Sequence, residues 1–440
     1  MKQYDMIIIG FGKAGKTLAA HFAGQGKTIA MVEKDKNMYG GACINTACIP
    51  TKTLIHAVEA GSSFDHAYAY RDEVTAKLRA KNYKKLADEA TIDIYDGKGE
   101  FFDNYTVRVT TANNEIDLTA KTIIINTGTL PFMPPIEGID ATDNVYDSIS
   151  LQSLRYQPET LGIIGAGNIG LEFASLYAQM GSKVYLFNLE EEIMTSEEPE
   201  LVELAEKYLQ EDGVVFVSNF NTTKLSNNED GQVVVESETV NYIVDAVLVA
   251  TGRRPNTVSL GLENTNIQVT DKGFIKVDEN LETSVAGIYA AGDINGGPQF
   301  TYISLDDYRI IRNHLEGKAY YNLNGRKNIP FTHFLNPPFA RVGLTEAKAR
   351  KEGYDIKVNI LDVANMPKAH VDNDLRGRFK LIINKENNLI LGASLLGAAS
   401  GELINYIKMA MDNDIPYTYI RDQIFIHPSM TENFNDLFNI

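Results

Sequence analysis

Residues 10–33 read GFGKAGKTLAAHFAGQGKTIAMVE, and residues 165–188 read GAGNIGLEFASLYAQMGSKVYLFN. A constant offset of 155 residues relates the two stretches and places the glycines of one on the glycines of the other. The aligned glycines are Gly10, Gly12, Gly15 and Gly26 in the first copy and Gly165, Gly167, Gly170 and Gly181 in the second. The repeat predicts two copies of one supersecondary unit.

Each copy has the flanking sequence that makes a G-x-G-x-x-G motif informative. An apolar run precedes the glycines, at residues 6–9 and 161–164, and another follows, at 29–32 and 184–187. In such a strand, turn, helix and strand, the glycines permit the turn and the close approach of a pyrophosphate to the helix N-terminus. A single match also fits a glycine-rich turn in another α/β protein. Two matches in register favour two Rossmann-like dinucleotide-binding domains.

The residue that ends the second strand of each unit is expected to contact the ribose of the dinucleotide. Glu33 holds that position in the first copy, where its carboxylate can accept both ribose hydroxyls; a solvated charge is the alternative. Asn188 holds it in the second copy and is followed by three glutamates at 190–192. No arginine is present there for a 2′-phosphate, and the carboxylates would repel one. The sequence therefore favours NADH over NADPH.

Residues 40–52 read GGACINTACIPTK and contain both cysteines of the chain, Cys43 and Cys48. Pro50 predicts the first turn of a helix, which leaves Cys48 at a helix N-terminus, where the dipole favours the thiolate. Two thiols alone make a poor metal site, so no metal centre is expected. A structural disulfide or two buried apolar thiols are alternatives. The position directly after the first dinucleotide fold favours a redox dithiol held against a cofactor.

The composition narrows the classes of partner. A chain of 440 residues predicts about two to four domains. Its formal net charge of -17 argues against nucleic acid and anionic membranes as partners. No apolar run approaches the roughly 18 residues of a membrane-spanning helix. The first residues also lack the basic region, the long apolar region and the cleavage site of a signal peptide. The sequence therefore predicts a cytoplasmic protein.

The chain resembles the class I pyridine nucleotide-disulfide oxidoreductases over essentially its whole length. The resemblance is carried by the paired dinucleotide folds, the cysteine segment, Thr-Gly at 127–128 and 251–252, Ala-Gly-Asp at 291–293, and HPSMTE at 427–432. It implies an α/β fold with two Rossmann-like dinucleotide-binding domains and a C-terminal α+β dimerisation domain. The implied boundaries are 1–148 and 271–318 for a discontinuous FAD-binding domain, 149–270 for the NAD(P)H-binding domain, and 319–440 for the dimerisation domain.

The resemblance also assigns cofactor contacts to positions of this chain. The FAD would contact Gly10, Gly12, Gly15, Glu33, Lys52, Thr127, Gly128 and Asp293. The NAD(P)H would contact Gly165, Gly167, Gly170, Asn188 and Gly252.

Four residues resemble the family's redox machinery. Cys48 resembles the proximal thiol that forms a charge-transfer complex with the flavin, and Cys43 resembles the distal thiol that meets substrate. Lys52 and Glu172 match a buried ion pair beside the flavin N5, where hydride arrives. From the residues alone, Glu172 is equally a polar residue one turn into a helix.

His427 resembles the base that deprotonates Cys43 across the interface of a homodimer, with Glu432 orienting it. The chemistry asks for such a group, because a thiol of pKa about 8.5 needs a base nearer neutrality, about 6.5 for imidazole. From the residues alone, an ordinary interface histidine is equally possible.

The substrate is suggested by a finer resemblance. Residues 301–309, TYISLDDYR, and the ending 427–438 look most like the bacterial reactive-chlorine-resistance flavoproteins, also described as hypothiocyanous acid reductases. A dihydrolipoamide dehydrogenase or other disulfide reductase, and a copper reductase, are alternative enzymes. A flavin-loaded redox sensor without turnover is an alternative of another class. Mercuric reductase and high-molecular-weight thioredoxin reductase do not fit, because the C-terminus lacks their additional cysteines.

Overall fold

The computed structural model describes residues 1–318 and 320–440. The strands are β1 Lys2–Gln3, β2 Met6–Ile9, β3 Ile29–Glu33, β4 Ile92–Phe101, β5 Thr106–Thr111, β6 Glu115–Thr119, β7 Thr122–Ile125, β8 Thr129–Pro131, β9 Val145–Tyr146, β10 Thr160–Ile164, β11 Lys183–Phe187, β12 Val214–Val217, β13 Lys224–Asn227, β14 Val233–Glu236, β15 Asn241–Val244, β16 Ala246–Val249, β17 Arg253–Pro255, β18 Ile288–Ala290, β19 Phe331–His333, β20 Phe339–Gly343, β21 Ile356–Asp362, β22 Arg378–Asn384 and β23 Ile390–Leu396.

The α-helices are α1 Lys13–Ala23, α2 Ala42–Asn45, α3 Cys48–Glu59, α4 Phe64–Ala87, α5 Asn168–Gln179, α6 Pro199–Asp212, α7 Thr301–Leu315, α8 Glu346–Lys351, α9 Pro367–Asp372, α10 Ser400–Asp412, α11 Tyr417–Arg421 and α12 Phe434–Leu437. Among the described residues, none of these helices is both long and apolar enough to cross a membrane.

The first compact unit contains Met1–Phe132, Ser148–Arg155 and Gly252–Gly325. Within the described residues, its main sheet has eight strands in the order β1-β6-β5-β4-β3-β2-β7-β18. The strands from β4 to β18 in that order are parallel, whereas β5 and β6 extend the sheet as antiparallel strands. Every residue of β2 is buried, as expected for a central parallel strand covered on both faces.

The second compact unit contains Met133–Asp147, Tyr156–Thr251 and Arg326–Ile440. Its parallel sheet has the order β12-β11-β10-β16-β9, and β13, β14 and β15 form a separate antiparallel sheet. The C-terminal part has an antiparallel sheet in the order β19-β20-β23-β22-β21, with α10 packed against its apolar core. The predicted α/β class, with a C-terminal α+β region, is confirmed.

The internal repeat is confirmed at the level of single residues. Helix α1 begins at Lys13 and α5 begins at Asn168, which preserves the offset of 155 residues seen in the sequence. Each helix follows a buried parallel strand and precedes another. The two stretches therefore fold as equivalent units because they share one pattern of apolar strands and turn glycines.

The predicted boundaries of the three domains stay predictions. Each of the two compact units contains segments that the sequence assigns to different domains. Each unit consists of three separate stretches of the chain. The boundary expected at residue 319 lies outside the described residues.

A buried ionic cluster holds part of the second unit together. The Lys380 side chain in β22 is 3% exposed, and its ammonium lies 2.7 Å from Glu198, 2.6 Å from Glu200 and 2.8 Å from Glu346. Burial lowers the pKa of Lys380, but the hydrogen bonds to the three carboxylates outweigh burial and raise it. The lysine is therefore the counter-ion that allows these carboxylates to approach one another.

Replacing this lysine should destabilise the fold. We expect Lys380→Met to lower the thermal unfolding midpoint by about 10 °C, because buried Glu198 loses its counter-charge. The matched control is Lys385→Met, which removes a lysine paired with Asp355 at the surface and should change the midpoint by less than about 2 °C. Equal midpoints for the two variants, measured by differential scanning calorimetry, would contradict the assignment.

Candidate functional site

The two cysteines lie on consecutive short helices of the first unit. Cys43 is in α2, and Cys48 is the first residue of α3, whose N-terminus has no side-chain cap. The helix predicted from Pro50 is confirmed, and Cys48 lies where the helix dipole favours a thiolate. Both residues are free thiols of intermediate burial, and they hydrogen-bond to each other.

Two further side chains act on the sulfur atoms. The Thr301 hydroxyl, at the start of α7, lies 3.4 Å from the Cys48 Sγ atom. The hydrogen bond with Cys48 and burial raise the pKa of Cys43, whereas the Thr301 hydroxyl and the Lys16 ammonium lower it. The net effect is a raised pKa, so Cys43 stays a thiol until a base removes its proton.

The first glycine turn is built on a buried asparagine. The Oδ1 atom of Asn126 accepts a hydrogen bond from the Gly15 amide at 2.9 Å, and its Nδ2 atom donates to the Ala291 carbonyl at 2.6 Å. Gly10 has φ +97°, and a Cβ atom there would lie 2.5 Å from the Asn126 carbonyl oxygen. A Cβ atom at Gly12 would collide with the Asn126 side chain. No side chain caps α1, so its N-terminus is suited to a phosphate.

Glu33 lies at the end of β3, beside this turn. Its two carboxylate oxygens accept hydrogen bonds from the Phe11 amide at 3.0 Å and the Asp35 amide at 3.2 Å. Burial raises the pKa of Glu33, while these amides lower it. These amides fix the carboxylate in position at the end of β3.

Asp293 and the Thr-Gly strand end lie at the same edge of the first sheet. Burial raises the pKa of Asp293, and the Thr129 hydroxyl donates a hydrogen bond to it at 3.0 Å. The Arg253 guanidinium bonds the Thr129 hydroxyl at 2.7 Å. Thr127 donates to a backbone carbonyl, and Gly128 has φ +67° with open space where a Cβ atom would lie.

The second glycine turn repeats this geometry in the other unit. Gly165 has φ +105°, and a Cβ atom there would lie 2.7 Å from the Ala250 carbonyl oxygen. A Cβ atom at Gly170 would collide with the Gly165 carbonyl, whereas one at Gly167 would meet open space. Like α1, helix α5 has no side-chain cap. This turn also has the shape that a dinucleotide requires.

Other residues predicted for the site are distributed over both units. Lys52 is in α3 of the first unit, and Glu172 is buried in α5 of the second, where it accepts a hydrogen bond from the Phe334 amide at 3.3 Å. Gly252, predicted to contact NAD(P)H, belongs to the first unit and has φ +123°. Their predicted roles stay predictions.

His427 and Glu432 form a pair near the C-terminus. The Nδ1 atom of His427 lies 2.8 Å from a carboxylate oxygen of Glu432, and the Ser429 amide donates to the other oxygen at 3.1 Å. The hydrogen bond with His427 holds the pKa of Glu432 below its ordinary value. The imidazole side chain is 70% exposed, so its Nε2 edge is open to a reactant.

The described residues contain one group of three side chains that could hold a metal ion, Glu198, Glu200 and Glu346. Lys380 bonds all three carboxylates and already supplies their counter-charge. We therefore assign this group to the structure of the second unit.

Family profiles match most of the sequence. A profile described as pyridine nucleotide-disulphide oxidoreductase matches residues 4–307, and the dimerisation domain of the same family matches residues 329–438. The chain belongs to this family.

Individual proteins extend the match over full lengths. The chain is 46% identical over 440 residues to the probable pyridine nucleotide-disulfide oxidoreductase RclA of Escherichia coli K12, with all of both chains covered. A structure titled as a Cu(II) complex of HOCl-induced flavoprotein disulfide reductase RclA from Escherichia coli has a TM-score of 0.98, with 100% of this chain and 99% of that chain covered. A mercuric reductase of Staphylococcus aureus is 30% identical, with 98% of this chain and 81% of that protein covered.

Family membership makes the chain a pyridine nucleotide-disulphide oxidoreductase and implies FAD and a pyridine nucleotide as cofactors. The two glycine turns fit such groups, because in each the glycines bring the backbone close to an uncapped helix N-terminus.

Three residues around the site were missed by the sequence reasoning. Asn126 supports the first glycine turn, Thr301 touches the thiols, and Lys16 acts on Cys43. A sequence signal was present for two of them. Asn126 directly precedes the Thr-Gly pair at 127–128, and Thr301 is the first residue of the segment 301–309 that resembles the reactive-chlorine-resistance flavoproteins. Lys16 had none, because a lysine in the first turn of a helix is an ordinary surface residue.

Adding one methyl group to the first glycine turn should abolish flavin binding. We expect Gly12→Ala to displace the Asn126 side chain, which makes two hydrogen bonds there. Each buried polar group that loses its partner destabilises the turn by about 1–3 kcal/mol. The measurement is bound FAD per chain in purified protein. Gly24→Ala at the other end of α1 is the matched control, because its φ is -63° and its nearest atoms are 3.5 Å away. Full FAD content in both variants would contradict this account of the turn.

Proposed function

We propose that this protein is an FAD- and NADH-dependent reductase that converts hypothiocyanous acid to thiocyanate, with the Cys43 and Cys48 pair as its redox centre. The observation that carries the proposal is this pair itself: two free, hydrogen-bonded thiols, one of them at an uncapped helix N-terminus. Such a pair can donate two electrons to an electrophile by closing a disulfide.

The similarity to the Escherichia coli protein supports oxidant defence. That protein is described as an HOCl-induced flavoprotein disulfide reductase, and the identity of 46% spans both chains. A role in defence against reactive chlorine species and their products is consistent with a small oxidant as substrate. A cytoplasmic location would give the enzyme its supply of reduced nicotinamide.

Residues of this chain are assigned to the cofactors as follows. FAD would be held by Gly10, Gly12, Gly15, Glu33, Lys52, Thr127, Gly128 and Asp293, and the nicotinamide coenzyme by Gly165, Gly167, Gly170, Asn188 and Gly252. When bound, the coenzyme supplies a hydride and the flavin passes its two electrons to the disulfide. Lys52 and Glu172 would supply charge and polarity where the hydride arrives.

The two thiols would act in sequence. The Cys43 thiolate attacks the sulfur atom of hypothiocyanous acid, the sulfur–oxygen bond breaks, and hydroxide leaves and takes up a proton to form water. Cys43 then carries a sulfenyl thiocyanate. The Cys48 thiolate attacks the cysteine sulfur of that group, expels thiocyanate and closes the disulfide. One substrate molecule thus consumes the two electrons that one coenzyme molecule returns.

Cys43 needs a base, because its hydrogen bond with Cys48 and its burial raise its pKa. We assign that role to the partner subunit's His427 in a homodimer. The dimerisation profile at residues 329–438 supports this arrangement. Exposed apolar residues next to the histidine support it as well, since Ile424 is 97% and Ile426 is 81% exposed in the single chain. Glu432 would orient the imidazole through its Nδ1 atom.

The preference for NADH is supported by the end of β11. The Asn188 side chain donates hydrogen bonds to the carbonyls of Glu190 and Glu192, both at 3.0 Å. These bonds hold the acidic segment 190–192 beside Asn188, where its exposed carboxylates would repel a 2′-phosphate.

Copper reduction is a second candidate, favoured by the Cu(II) complex of the Escherichia coli relative. In that reaction the dithiol would give one electron to each of two Cu(II) ions and release two protons to solvent, forming two Cu(I) ions and the disulfide. The same redox pair serves both candidates, so turnover with each oxidant decides between them.

Substrate identity is tested by stopped-flow oxidation of NADH with hypothiocyanous acid, lipoamide, glutathione disulfide and Cu(II) at matched concentrations. We expect fast turnover with hypothiocyanous acid and little with the others. NADPH in place of NADH should lower kcat/KM by about tenfold or more. Fast turnover with lipoamide alone would make the enzyme a dihydrolipoamide dehydrogenase, and fast turnover with Cu(II) alone would make it a copper reductase.

Cys43→Ser is the control for the same assay. It should retain FAD and lose turnover, since the distal nucleophile is gone while the first glycine turn is untouched. Full turnover by this variant would contradict the mechanism, and would point to a flavoprotein that does not use the cysteine pair.

The role of the histidine predicts a pH-dependent defect. We expect His427→Gln to lower kcat/KM by about 10²–10⁴ at neutral pH, with recovery at alkaline pH as hydroxide ionises Cys43 directly. Glu432 does not titrate in this range, because the hydrogen bond with His427 lowers its pKa and keeps it a carboxylate at neutral and alkaline pH. His370→Gln, which alters another exposed histidine of the second unit, should leave the profile unchanged. A uniform loss at every pH would contradict a role as base.

A further inference from the structure

We infer that Lys16 and the Cys43 thiol form a binding site for a small inorganic anion, in which the Lys16 ammonium attracts an anionic oxidant and holds the departing pseudohalide. The inference rests on the proposed function only for the identity of that anion. Lys16 would contact the anion directly during the reaction at Cys43.

The first argument is the placement of the lysine. Lys16 is in the first turn of α1, and its ammonium donates a hydrogen bond to the Gly40 carbonyl at 3.0 Å, three residues before Cys43. The following residue, Gly41, packs so closely on the first glycine turn that a Cβ atom there would lie 2.8 Å from the Gly12 Cα atom. Helix α2 with Cys43 is therefore fixed beside α1, and Lys16 cannot move away without breaking its bond to the cysteine loop.

The second argument is the charge around the lysine. Burial, together with the ammonium groups of Lys13 and Lys85, lowers the pKa of Lys16 to about 8, although Cys43 raises it. Within residues 1–318 and 320–440, none of these three lysines forms an ion pair with a carboxylate. In a chain of net charge -17, this is a local positive region beside the reactive thiol.

Arg79 is a further basic group near this loop, and among the residues that the structure describes it forms no ion pair with a carboxylate. Arg79 of α4 bonds the side-chain carbonyls of Asn45 and Asn37 at 2.8 and 3.2 Å. Asn45 is the last residue of α2, so the guanidinium adds positive charge at the other end of the helix that carries Cys43. Lys13 differs from the others, since at the start of α1 it lies where the FAD pyrophosphate would neutralise it.

An anion leaves in each of the two steps of the proposed reaction, and each step needs a group that stabilises it. Hydroxide leaves when Cys43 attacks hypothiocyanous acid, and thiocyanate leaves when Cys48 closes the disulfide. A fixed ammonium beside the sulfur stabilises each developing anion without reorganisation. A neutral disulfide such as lipoamide develops no comparable small anion, so the site favours pseudohalide and hypohalite oxidants.

The test measures the electrostatic potential at Cys43 without using turnover. In the FAD-loaded Cys48→Ser protein, Cys43 is the only cysteine left of the two in the chain. Its alkylation rates with anionic iodoacetate and neutral iodoacetamide are compared at one pH. Both reagents react with the thiolate, so the ratio of the two rates cancels the thiolate fraction and reports the local potential.

We expect Lys16→Met in this background to lower the iodoacetate to iodoacetamide ratio by about fivefold, and Lys16→Arg to retain it. The matched control is Lys84→Met, which removes the same charge from α4 where Lys84 is paired with Asp88; its ratio should not change. Sodium thiocyanate should slow alkylation of the parent protein and have no effect on Lys16→Met. An unchanged ratio in Lys16→Met with native FAD content would overturn the inference.

A second measurement covers the case in which Lys16→Met does not fold. Raising the ionic strength of the parent Cys48→Ser protein should slow iodoacetate and leave iodoacetamide unaffected, and the absence of this difference would also overturn the inference. If the alkylation ratio depends on Lys16 while hypothiocyanous acid is not turned over, the result supports the anion site and contradicts the proposed substrate. Turnover of hypothiocyanous acid with a ratio that does not depend on Lys16 contradicts the anion site and supports the proposed substrate.

Discussion

The contact of Gly41 with the first glycine turn is the constraint on which the redox site depends. Two backbones meet there without side chains, because a Cβ atom on Gly41 would lie 2.8 Å from the Gly12 Cα atom. The cysteine loop is thereby fixed against the segment that also forms the dinucleotide turn. A thiol pair that exchanges electrons with a bound dinucleotide must lie this close to it, and only glycine permits the approach.

Around that contact the structure combines groups of opposite effect on the thiols. The hydrogen bond between the two cysteines and their burial keep a proton on Cys43, whereas Lys16 and the Thr301 hydroxyl favour its loss. The dithiol is thus stable until a base removes the proton. In the second unit, the exposed His427 is fixed by Glu432 with one ring edge free. In the proposed mechanism, the partner subunit's His427 supplies that base.

A buried asparagine and a buried lysine each hold several segments of the fold together. Asn126 joins the glycine turn of α1 to the end of β7 and to the segment before Asp293, so one side chain fixes three parts of the proposed flavin site. Lys380 performs a similar task in the second unit, where it binds carboxylates from α6 and α8 to the C-terminal sheet. Both residues are polar and buried, and both have their bonding capacity satisfied by specific partners.

The sequence by itself determined the two dinucleotide folds, the helix that begins at Cys48 and the α+β character of the C-terminal region. Those features depend on local patterns, namely apolar runs, turn glycines and a proline in a first helical turn. Only the tertiary structure decided that Thr301, 253 residues away in sequence, touches Cys48, and that Asn126, 111 residues from Gly15, completes its turn. The sequence could not show these contacts, because they depend on how separate strands and helices pack and no local pattern records that packing.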